Sequence, residues 1–262
     1  MKKRTDILFL LPSLVGFLIF FIVPFFYSFV YAFTDNTFRM EFAGFSNFII
    51  LFENEYFRLA MVNTVRFTVC AVPLCMSVSI IAAVLIARYA ARISFVKSAF
   101  FLPVILPSAT IVVLWQAYIA DFVPPFTSLL LIYLWKYSGL NIMLILTALT
   151  GMERDMIEAS RIDGAGIFRR TWHVILPNIT PTLFFTFALS IVNSLKIFRE
   201  SFLLYSNYPD ESVYMLQNYL NNHFQKMNYQ NISTAAIFFS VVVYTIVTVF
   251  FSAEKKWSEQ IW

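Results

Sequence analysis

The sequence predicts an all-α integral membrane protein with six transmembrane helices and with both termini in the cytoplasm. Three observations support this fold class. The 262 residues are 60% hydrophobic and only 13% charged, whereas an ordinary soluble domain is about 25% charged. Six apolar segments are each long enough to cross a bilayer, which takes about 20 residues. The Lys and Arg residues are concentrated in alternate connections between these segments.

The six apolar segments define the predicted membrane spans, which are 7–33, 62–87, 99–119, 126–149, 178–198 and 235–252. The first follows Lys2, Lys3 and Arg4 and therefore resembles a signal peptide. Its apolar stretch is longer than the roughly 7–15 residues of a cleavable signal. We therefore expect an uncleaved anchor helix with a kink at Pro24.

The distribution of basic residues sets the predicted orientation, because cytoplasmic connections retain Lys and Arg. Twelve lie on one side, namely Lys2, Lys3, Arg4, Arg88, Arg92, Lys97, Arg154, Arg161, Arg169, Arg170, Lys255 and Lys256. Four lie on the other side, namely Arg39, Arg58, Arg199 and Lys226. The richer side is assigned to the cytoplasm, which agrees with an even number of spans.

Several chemistries are not supported by the sequence. No GxxxxGK[ST] phosphate loop occurs, so this chain is not expected to hydrolyse ATP. The cysteines, Cys70 and Cys75, both lie in an apolar segment, and His173 and His223 form no HExxH pair. Neither a metal site nor a catalytic site is expected. The net charge of +4 forms no basic stripe of the kind that binds nucleic acid.

Three basic residues, Arg66, Lys136 and Lys196, fall inside the predicted spans. Such residues usually extend to the interface, form pairs or face water. Arg66 and Lys196 lie near outer helix ends, where extension to the interface is expected. Lys136 lies deeper, so it is the better candidate for a polar pathway, although the neighbouring Trp135 and Tyr137 also suit an interfacial aromatic belt.

The connection between the fourth and fifth spans, 151–183, is the longest predicted inner loop. Residues 152–162 contain neither Pro nor Gly. They place Arg154 and Glu158, and then Glu158 and Arg161, at helical spacing, which predicts a short surface helix supported by ion pairs.

Glycines are expected to end that short helix at Gly164, with Gly166 close behind. A second helical stretch over 167–175 is predicted to follow. Leu176 and Pro177 then begin the next membrane helix, at a position that tolerates proline. The predicted element is a helix, a glycine turn and a second helix on the cytoplasmic face.

This loop resembles the EAA loop of permease subunits of binding-protein-dependent ABC importers. The resemblance rests on Glu158–Ser160, then Gly164, then Val174 two positions before Leu176–Pro177. The string EASRIDGAG is similar to the form found in carbohydrate permeases of the maltose and multiple-sugar type. Ser160 replaces an alanine of the family pattern and Val174 replaces an isoleucine, and both changes conserve size approximately.

The resemblance implies a single transmembrane permease domain over 1–262, of the type I ABC importer fold, in the bacterial cytoplasmic membrane. Its coupling loop would cover about 150–177 and its largest periplasmic loop about 199–234. The expected partners are a second permease subunit, two ATPase subunits that bind ATP and Mg²⁺, and an extracytoplasmic solute-binding protein. This chain would bind no cofactor. The segment 121–127 is shorter than the family pattern leads one to expect.

The resemblance also implies roles for particular residues. The residues expected to couple this chain to an ATPase are Glu158, Ala159, Ser160, Arg161, Asp163, Gly164, Ala165, Gly166, Leu176 and Pro177. Sugars are bound by aromatic faces, amides and hydroxyls, so the candidate substrate pathway comprises Trp135, Lys136, Tyr137, Asn141, Asn193, Ser194 and Lys196. Two alternatives remain open: a permease of the same superfamily for peptides, amino acids or an oxyanion, and an ion-driven secondary carrier.

Overall fold

The computed structural model describes residues 2–36, 39–89, 94–118, 122–152 and 154–261. The helices are, in chain order, α1 (Lys2–Phe17), α2 (Val23–Ala32), α3 (Ser46–Glu53), α4 (Glu55–Tyr89), α5 (Ser94–Ile105), α6 (Ser108–Tyr118), α7 (Pro125–Gly151), α8 (Arg154–Ile162), α9 (Ile167–Arg170), α10 (Leu176–Asn178), α11 (Thr180–Leu195), α12 (Phe198–Tyr205), α13 (Leu216–Gln225) and α14 (Tyr229–Ile261). Contacts group the chain into two compact units, one formed by 1–58 with 219–244 and the other by 59–218 with 245–262.

Membrane-spanning helices occur at all six predicted places. Five are continuous, namely Leu10–Ala32, Glu55–Arg88, Pro125–Gly151, Thr180–Tyr205 and Tyr229–Ser252. The third predicted span, 99–119, is instead a pair of helices, Ala99–Ile105 and Ser108–Tyr118, that meet at 108°. Within the described residues the chain thus has five continuous spans and one bent pair, where the sequence predicted six continuous spans.

The bend in the third span has a local cause at Pro107. Proline lacks the amide that a helix needs and disfavours the helical conformation of the residue before it, Leu106. The helix therefore stops at Ile105 and starts again at Ser108. The irregularity expected at Pro24 takes another form, a π-helical turn over Leu18–Ile22 that lies ahead of the proline.

The fifth span is longer than predicted, which is a correction. The apolar pattern predicted its end near residue 198, with Arg199 in the outer loop. In the structure the helical span continues through α12 to Tyr205. The extension brings the side chain of Glu200 into the protein interior, where it is fully buried.

The unit formed by 59–218 and 245–262 has two apolar clusters. The first packs α4, α6 and α7 around the fully buried rings of Phe67 and Tyr133. The second lies toward the inner ends of α4 and α7 and includes Ile142 and Ile145. The helices α5 and α7 approach closely at Gly139, where an added Cβ would stand 1.7 Å from the carbonyl oxygen of Phe100.

The outer loop is fastened to α4 by hydrogen bonds. The Asn63 side chain donates to the backbone oxygens of Glu211, at 2.5 Å, and Tyr214, at 3.0 Å. The amide of Leu216 donates to the Thr64 hydroxyl at 2.9 Å. The near-helical spacing of Tyr214, Leu216, Tyr219, Leu220 and Phe224 predicts a short helix in this loop, and the structure has it as α13.

The unit formed by 1–58 and 219–244 is packed largely through aromatic rings. The Phe238 ring lies edge to face with Phe52, at a centroid distance of 4.9 Å, and with Phe57, at 6.0 Å. Asn47 is buried and donates to the backbone oxygens of Ala32 and Thr34, at 3.0 and 2.8 Å. These bonds fix the turn that follows α2.

Candidate functional site

The predicted helix, glycine turn and helix are present in the inner loop. The helix α8 ends in a Schellman motif: the Gly164 amide donates to the oxygen of Arg161, and the Ala165 amide donates to that of Ser160, both at 3.1 Å. Gly164 has φ +74, a conformation that side-chain-bearing residues rarely adopt. The glycine is therefore required by the backbone, and it sets the direction in which α9 leaves.

The second half of the loop leads into the fifth span through a π-helical turn, Thr171–Ile175. Pro177 has no amide to donate, and the amide of Leu176 bonds to the carbonyl oxygen of Thr171, five residues earlier. The Asn178 side chain donates to the oxygen of Val174 at 2.7 Å. These bonds join the loop to the membrane helix without a flexible linker.

The surface of this loop carries large apolar side chains that contact little of the described chain. Ile162 is 86% exposed, Phe168 is 93% exposed and Trp172 is 69% exposed. They lie at the end of α8, in α9 and in the π turn, so each of the three consecutive elements presents one. Exposed apolar side chains amid charged neighbours are typical of a protein interaction surface.

The coupling residues expected from the sequence lie together in this loop and are mostly exposed. Ser160 is buried, Ala165, Leu176 and Pro177 are partly buried, and the exposed ones are Glu158, Ala159, Arg161, Asp163, Gly164 and Gly166. Glu158 and Arg161 form no ion pair among the described side chains, contrary to the predicted i,i+3 contact. Both charges remain directed at the surface.

A second cluster of polar residues lies deep among the membrane helices. The Lys136 ammonium donates to Glu200 Oε1 at 2.5 Å and to the Ser108 hydroxyl at 3.0 Å. The same hydroxyl donates to Glu200 Oε1 at 2.7 Å. The Lys136 and Glu200 side chains are only 10% and 1% exposed. This is a desolvated ion pair of the kind that intramembrane charges require.

Three separate helices bring this ion pair together. Lys136 lies in the middle of α7, Glu200 lies in the extension of the fifth span, and Ser108 begins α6 directly after the bend. The second carboxylate oxygen of Glu200, Oε2, is buried and accepts no hydrogen bond from the described residues. The Lys136 ammonium also lies 5.4 Å from the centre of the Tyr137 ring. The bend in the third span is therefore tied to the fourth and fifth spans.

A chain of weaker polar contacts links α4, α7 and α11. The Asn141 side chain donates to the Ser190 hydroxyl at 2.8 Å, and the Tyr133 hydroxyl donates to the Ser190 backbone oxygen at 2.8 Å. The hydroxyls of Thr68 and Ser194 are 3.0 Å apart. Such contacts orient membrane helices relative to one another, because lipid offers no alternative partner.

The candidate pathway residues occupy two kinds of position. Trp135 and Lys196 are exposed, whereas the buried ones are Lys136, Tyr137, Asn141, Asn193 and Ser194. Sequence reasoning missed Glu200 and Ser108, the two partners of Lys136. The signal for Glu200 was an acidic residue two positions after the predicted end of the fifth span, together with a lysine that needed a partner inside the membrane. Among the described residues no group of three or more His, Cys, Asp or Glu residues could hold a metal ion.

Comparison with known proteins identifies the family. Residues 79–255 match the family described as "Binding-protein-dependent transport system inner membrane component". The chain belongs to this family. It is therefore a multi-pass membrane permease of a transport system that works with a solute-binding protein, as the resemblance of the inner loop predicted.

Curated relatives of the permease resemble it along most of its length. A probable starch degradation products transport system permease protein of Thermoanaerobacterium thermosulfurigenes is 23% identical, over 95% of this chain and 94% of its own. The arabinooligosaccharides transport system permease protein of Bacillus subtilis is 24% identical, over 79% of this chain and 74% of its own. A lactose transport system permease protein of Rhizobium radiobacter is 25% identical, over 85% of each chain.

Solved structures confirm the predicted permease fold. A chain of a bacterial ABC transporter that imports the acidic polysaccharide alginate superposes with a TM-score of 0.82, at 22% identity, over 97% of this chain and 96% of its own. A chain of an amino acid ABC transporter superposes less closely, with a TM-score of 0.58 at 16% identity, over 82% of this chain and 98% of its own.

Proposed function

We propose that this permease forms one half of the membrane pore of an ATP-driven ABC importer for sugars or oligosaccharides in a bacterial cytoplasmic membrane. The observation that carries the proposal is the inner loop, a rigid helix, glycine turn and helix with exposed apolar side chains, in a chain of this family. The carbohydrate cargo is supported by the names of the relatives, which refer to starch products, arabinooligosaccharides and lactose.

The inner loop would seat on an ATPase subunit. Its exposed Ile162, Phe168 and Trp172 side chains would be buried at that interface, and its charged residues would form the rim. The Schellman motif holds α8 at a fixed angle, so that a displacement of the ATPase is transmitted rather than absorbed by the loop. The π turn and Pro177 continue this rigid path into the fifth span.

The buried ion pair would belong to the moving part of the pore. Lys136, Ser108 and Glu200 come from three spans. A movement of the fifth span against the bent third span must therefore either move the three residues together or break the hydrogen bonds between them. Two discrete arrangements of such a cluster would suit a switch between inward-facing and outward-facing states. The exposed Trp135 and Lys196 are the candidate residues that face the substrate or the second permease subunit.

The remaining partners follow from the same proposal. ATP and Mg²⁺ would be bound by two ATPase subunits, so this chain would be non-catalytic and would bind no cofactor. A second permease subunit would complete the pore, and an extracytoplasmic binding protein would deliver the cargo at the outer loop. Each of these partners is open to direct test.

The first test identifies the partners and the cargo. The tagged full-length chain is purified in mild detergent, the co-purifying proteins are identified, and the ATPase activity is measured with binding protein and a series of oligosaccharides. We expect a second permease, an ATPase and stimulation by one class of sugar. A chain that purifies alone and transports in vesicles on an ion gradient without ATP would show that it is a secondary carrier.

The second test concerns coupling. Gly164→Pro and Glu158→Lys are expected to leave the protein at normal abundance in the membrane while transport falls at least about tenfold, because the loop no longer fits or orients on its partner. Gly151→Ala is the matched control, since an added Cβ there meets no atom within 4 Å. Normal transport by both loop variants would remove the coupling role from this loop.

A second cargo class is favoured by one comparison. An sn-glycerol-3-phosphate transport system permease protein of Escherichia coli is 28% identical to this chain, over 73% of this chain and 72% of its own. Stimulation of the ATPase by a phosphorylated polyol, and by none of the neutral oligosaccharides, would assign this cargo class instead.

A further inference from the structure

An arginine-lined cleft of about 210 Å³ lies between the inner ends of two membrane helices and the inner loop. Its charged and polar lining consists of Arg88 from α4, Arg161 from α8, Arg170 from α9 and Thr171. Its apolar lining includes Val84 and Leu149. Each of the three arginines comes from a different helix, so the cleft is a product of the tertiary fold.

The charge of this cleft calls for an anion. Three arginines line one space, and the described residues that line it include no carboxylate. Within the part of the chain that the structure describes, neither Arg161 nor Arg170 forms an ion pair. Guanidinium groups bind phosphate through paired, planar hydrogen bonds, and the Thr171 hydroxyl adds a further donor.

The position of the cleft indicates which anion. Arg88 ends the span Glu55–Arg88, and Leu149 lies two residues before the end of the span Pro125–Gly151. In the predicted orientation, with the inner loop in the cytoplasm, this level is the cytoplasmic boundary of the hydrocarbon layer. Basic pockets between helices at this level are suited to anionic lipid headgroups. The apolar lining of the cleft would contact the first carbons of a lipid acyl chain. A free phosphate ion has no apolar part that could make this contact.

We propose that this cleft binds the phosphate of an anionic phospholipid from the cytoplasmic leaflet. Arg88 belongs to α4, and Arg161 and Arg170 belong to the inner loop, on either side of the glycine turn at Gly164. A phosphate bound by all three therefore bridges α4 to the inner loop. It would thereby hold α8 and α9 against the membrane end of α4. The orientation of the loop then depends on the lipid composition of the inner leaflet, whatever cargo the transporter carries.

The test measures lipid that stays bound to the purified transporter. The full-length chain, in its complex as extracted, is reconstituted in nanodiscs of phosphatidylcholine with a fixed fraction of phosphatidylglycerol, released into mild detergent, and examined by native mass spectrometry. Arg170→Gln and, on a separate helix, Arg88→Gln are expected to weaken phosphatidylglycerol retention roughly fivefold each, the effect of one basic residue near a membrane. Arg169→Gln is the matched control, because Arg169 is the chain neighbour of Arg170 and does not line the cleft.

The outcomes separate a built site from general attraction. The proposal is supported if phosphatidylglycerol retention falls in Arg170→Gln and in Arg88→Gln but not in Arg169→Gln. The proposal would be overturned if all three variants lost phosphatidylglycerol equally. It would also be overturned if the parent protein retained phosphatidylcholine as well as it retains phosphatidylglycerol. The source of the phosphate is tested by competition: inorganic phosphate or glycerophosphoglycerol displacing the lipid at equal concentration would show that the acyl chains contribute nothing. Lipid retained only after removal of the ATPase would assign the cleft to the protein interface instead.

Discussion

Removal of the Lys136 charge is expected to destabilise this permease severely. In Lys136→Met, the Glu200 carboxylate keeps one hydrogen bond, from the Ser108 hydroxyl, and remains 1% exposed. Its Oε2 atom already has no partner among the described residues. Breaking a buried ion pair by removing one partner costs about 3–5 kcal/mol. With so little compensation at Glu200, we expect the upper half of that range.

The matched comparison removes both charges. In Lys136→Met with Glu200→Leu no charge is left buried, and replacement of a buried pair by apolar residues of similar volume is often neutral. The double variant is therefore expected to recover at least half of the stability that Lys136→Met loses. The coupling between the two sites should then be about 3 kcal/mol or more.

The assay uses a buried thiol of the same unit. Cys75 is buried and Cys70 is exposed, so in a Cys70→Ala background a thiol-reactive dye labels Cys75 only when the helices separate. Labelling is followed as sodium dodecyl sulfate is titrated into mixed micelles, and the folded fraction gives the free energy of unfolding. If Lys136→Met unfolds at the same detergent fraction as the parent, or if the double variant is no better than the single one, the pair does not stabilise the fold.

Three further outcomes are expected. Gly139→Ala should lower the free energy of unfolding by at least about 3 kcal/mol, more than ordinary overpacking costs, because its Cβ would meet the backbone of Phe100. Gly151→Ala on the same helix is the control, and in the same titration its free energy of unfolding should differ little from that of the parent. Asn63→Ala removes the side-chain hydrogen bonds to the carbonyl oxygens of Glu211 and Tyr214. The loss should cost about 1–3 kcal/mol and speed hydrogen exchange in the outer loop; unchanged exchange would contradict the assignment. Burial lowers the pKa of His223 below its usual value of 6.5, so the unfolded chain binds the proton more readily than the folded one. The free energy of unfolding should therefore fall as the pH drops through 6.5 and below. In thermal unfolding measured at pH 7.5 and 5.5, His223→Asn should abolish this contribution.

Features that depend on near neighbours in the chain could be predicted. The inner loop is the clearest case, because Gly164, twelve residues before Leu176, meets a local backbone requirement at the end of a helix. The structure has Gly164 in the expected left-handed conformation, with α8 before it and α9 after it. Hydropathy located the spans for the same reason, since twenty apolar residues in a row need no distant partner to be recognised.

Features that depend on distant partners could not be predicted. Lys136 was recognised as unusual, but its partners Glu200 and Ser108 lie 64 and 28 positions away in the chain. The end of the fifth span was misplaced for the same reason: a charge reads as the end of a membrane helix unless its neutralising partner is known. The 108° bend was missed for a different reason, since its cause at Pro107 is local and the third span was predicted from hydropathy as one helix over 99–119.

The class of this protein and the shape of its inner loop could be predicted from the sequence alone, because hydropathy and glycine conformation act over a few residues. The packing of the helices established which polar residues meet. It paired Lys136 with Glu200 inside the membrane, and it gathered Arg88, Arg161 and Arg170 around one cleft. A buried charge is stabilised by whichever partner the packing of the helices brings close to it. That packing depends on several segments at once, so no single segment of the sequence predicts it.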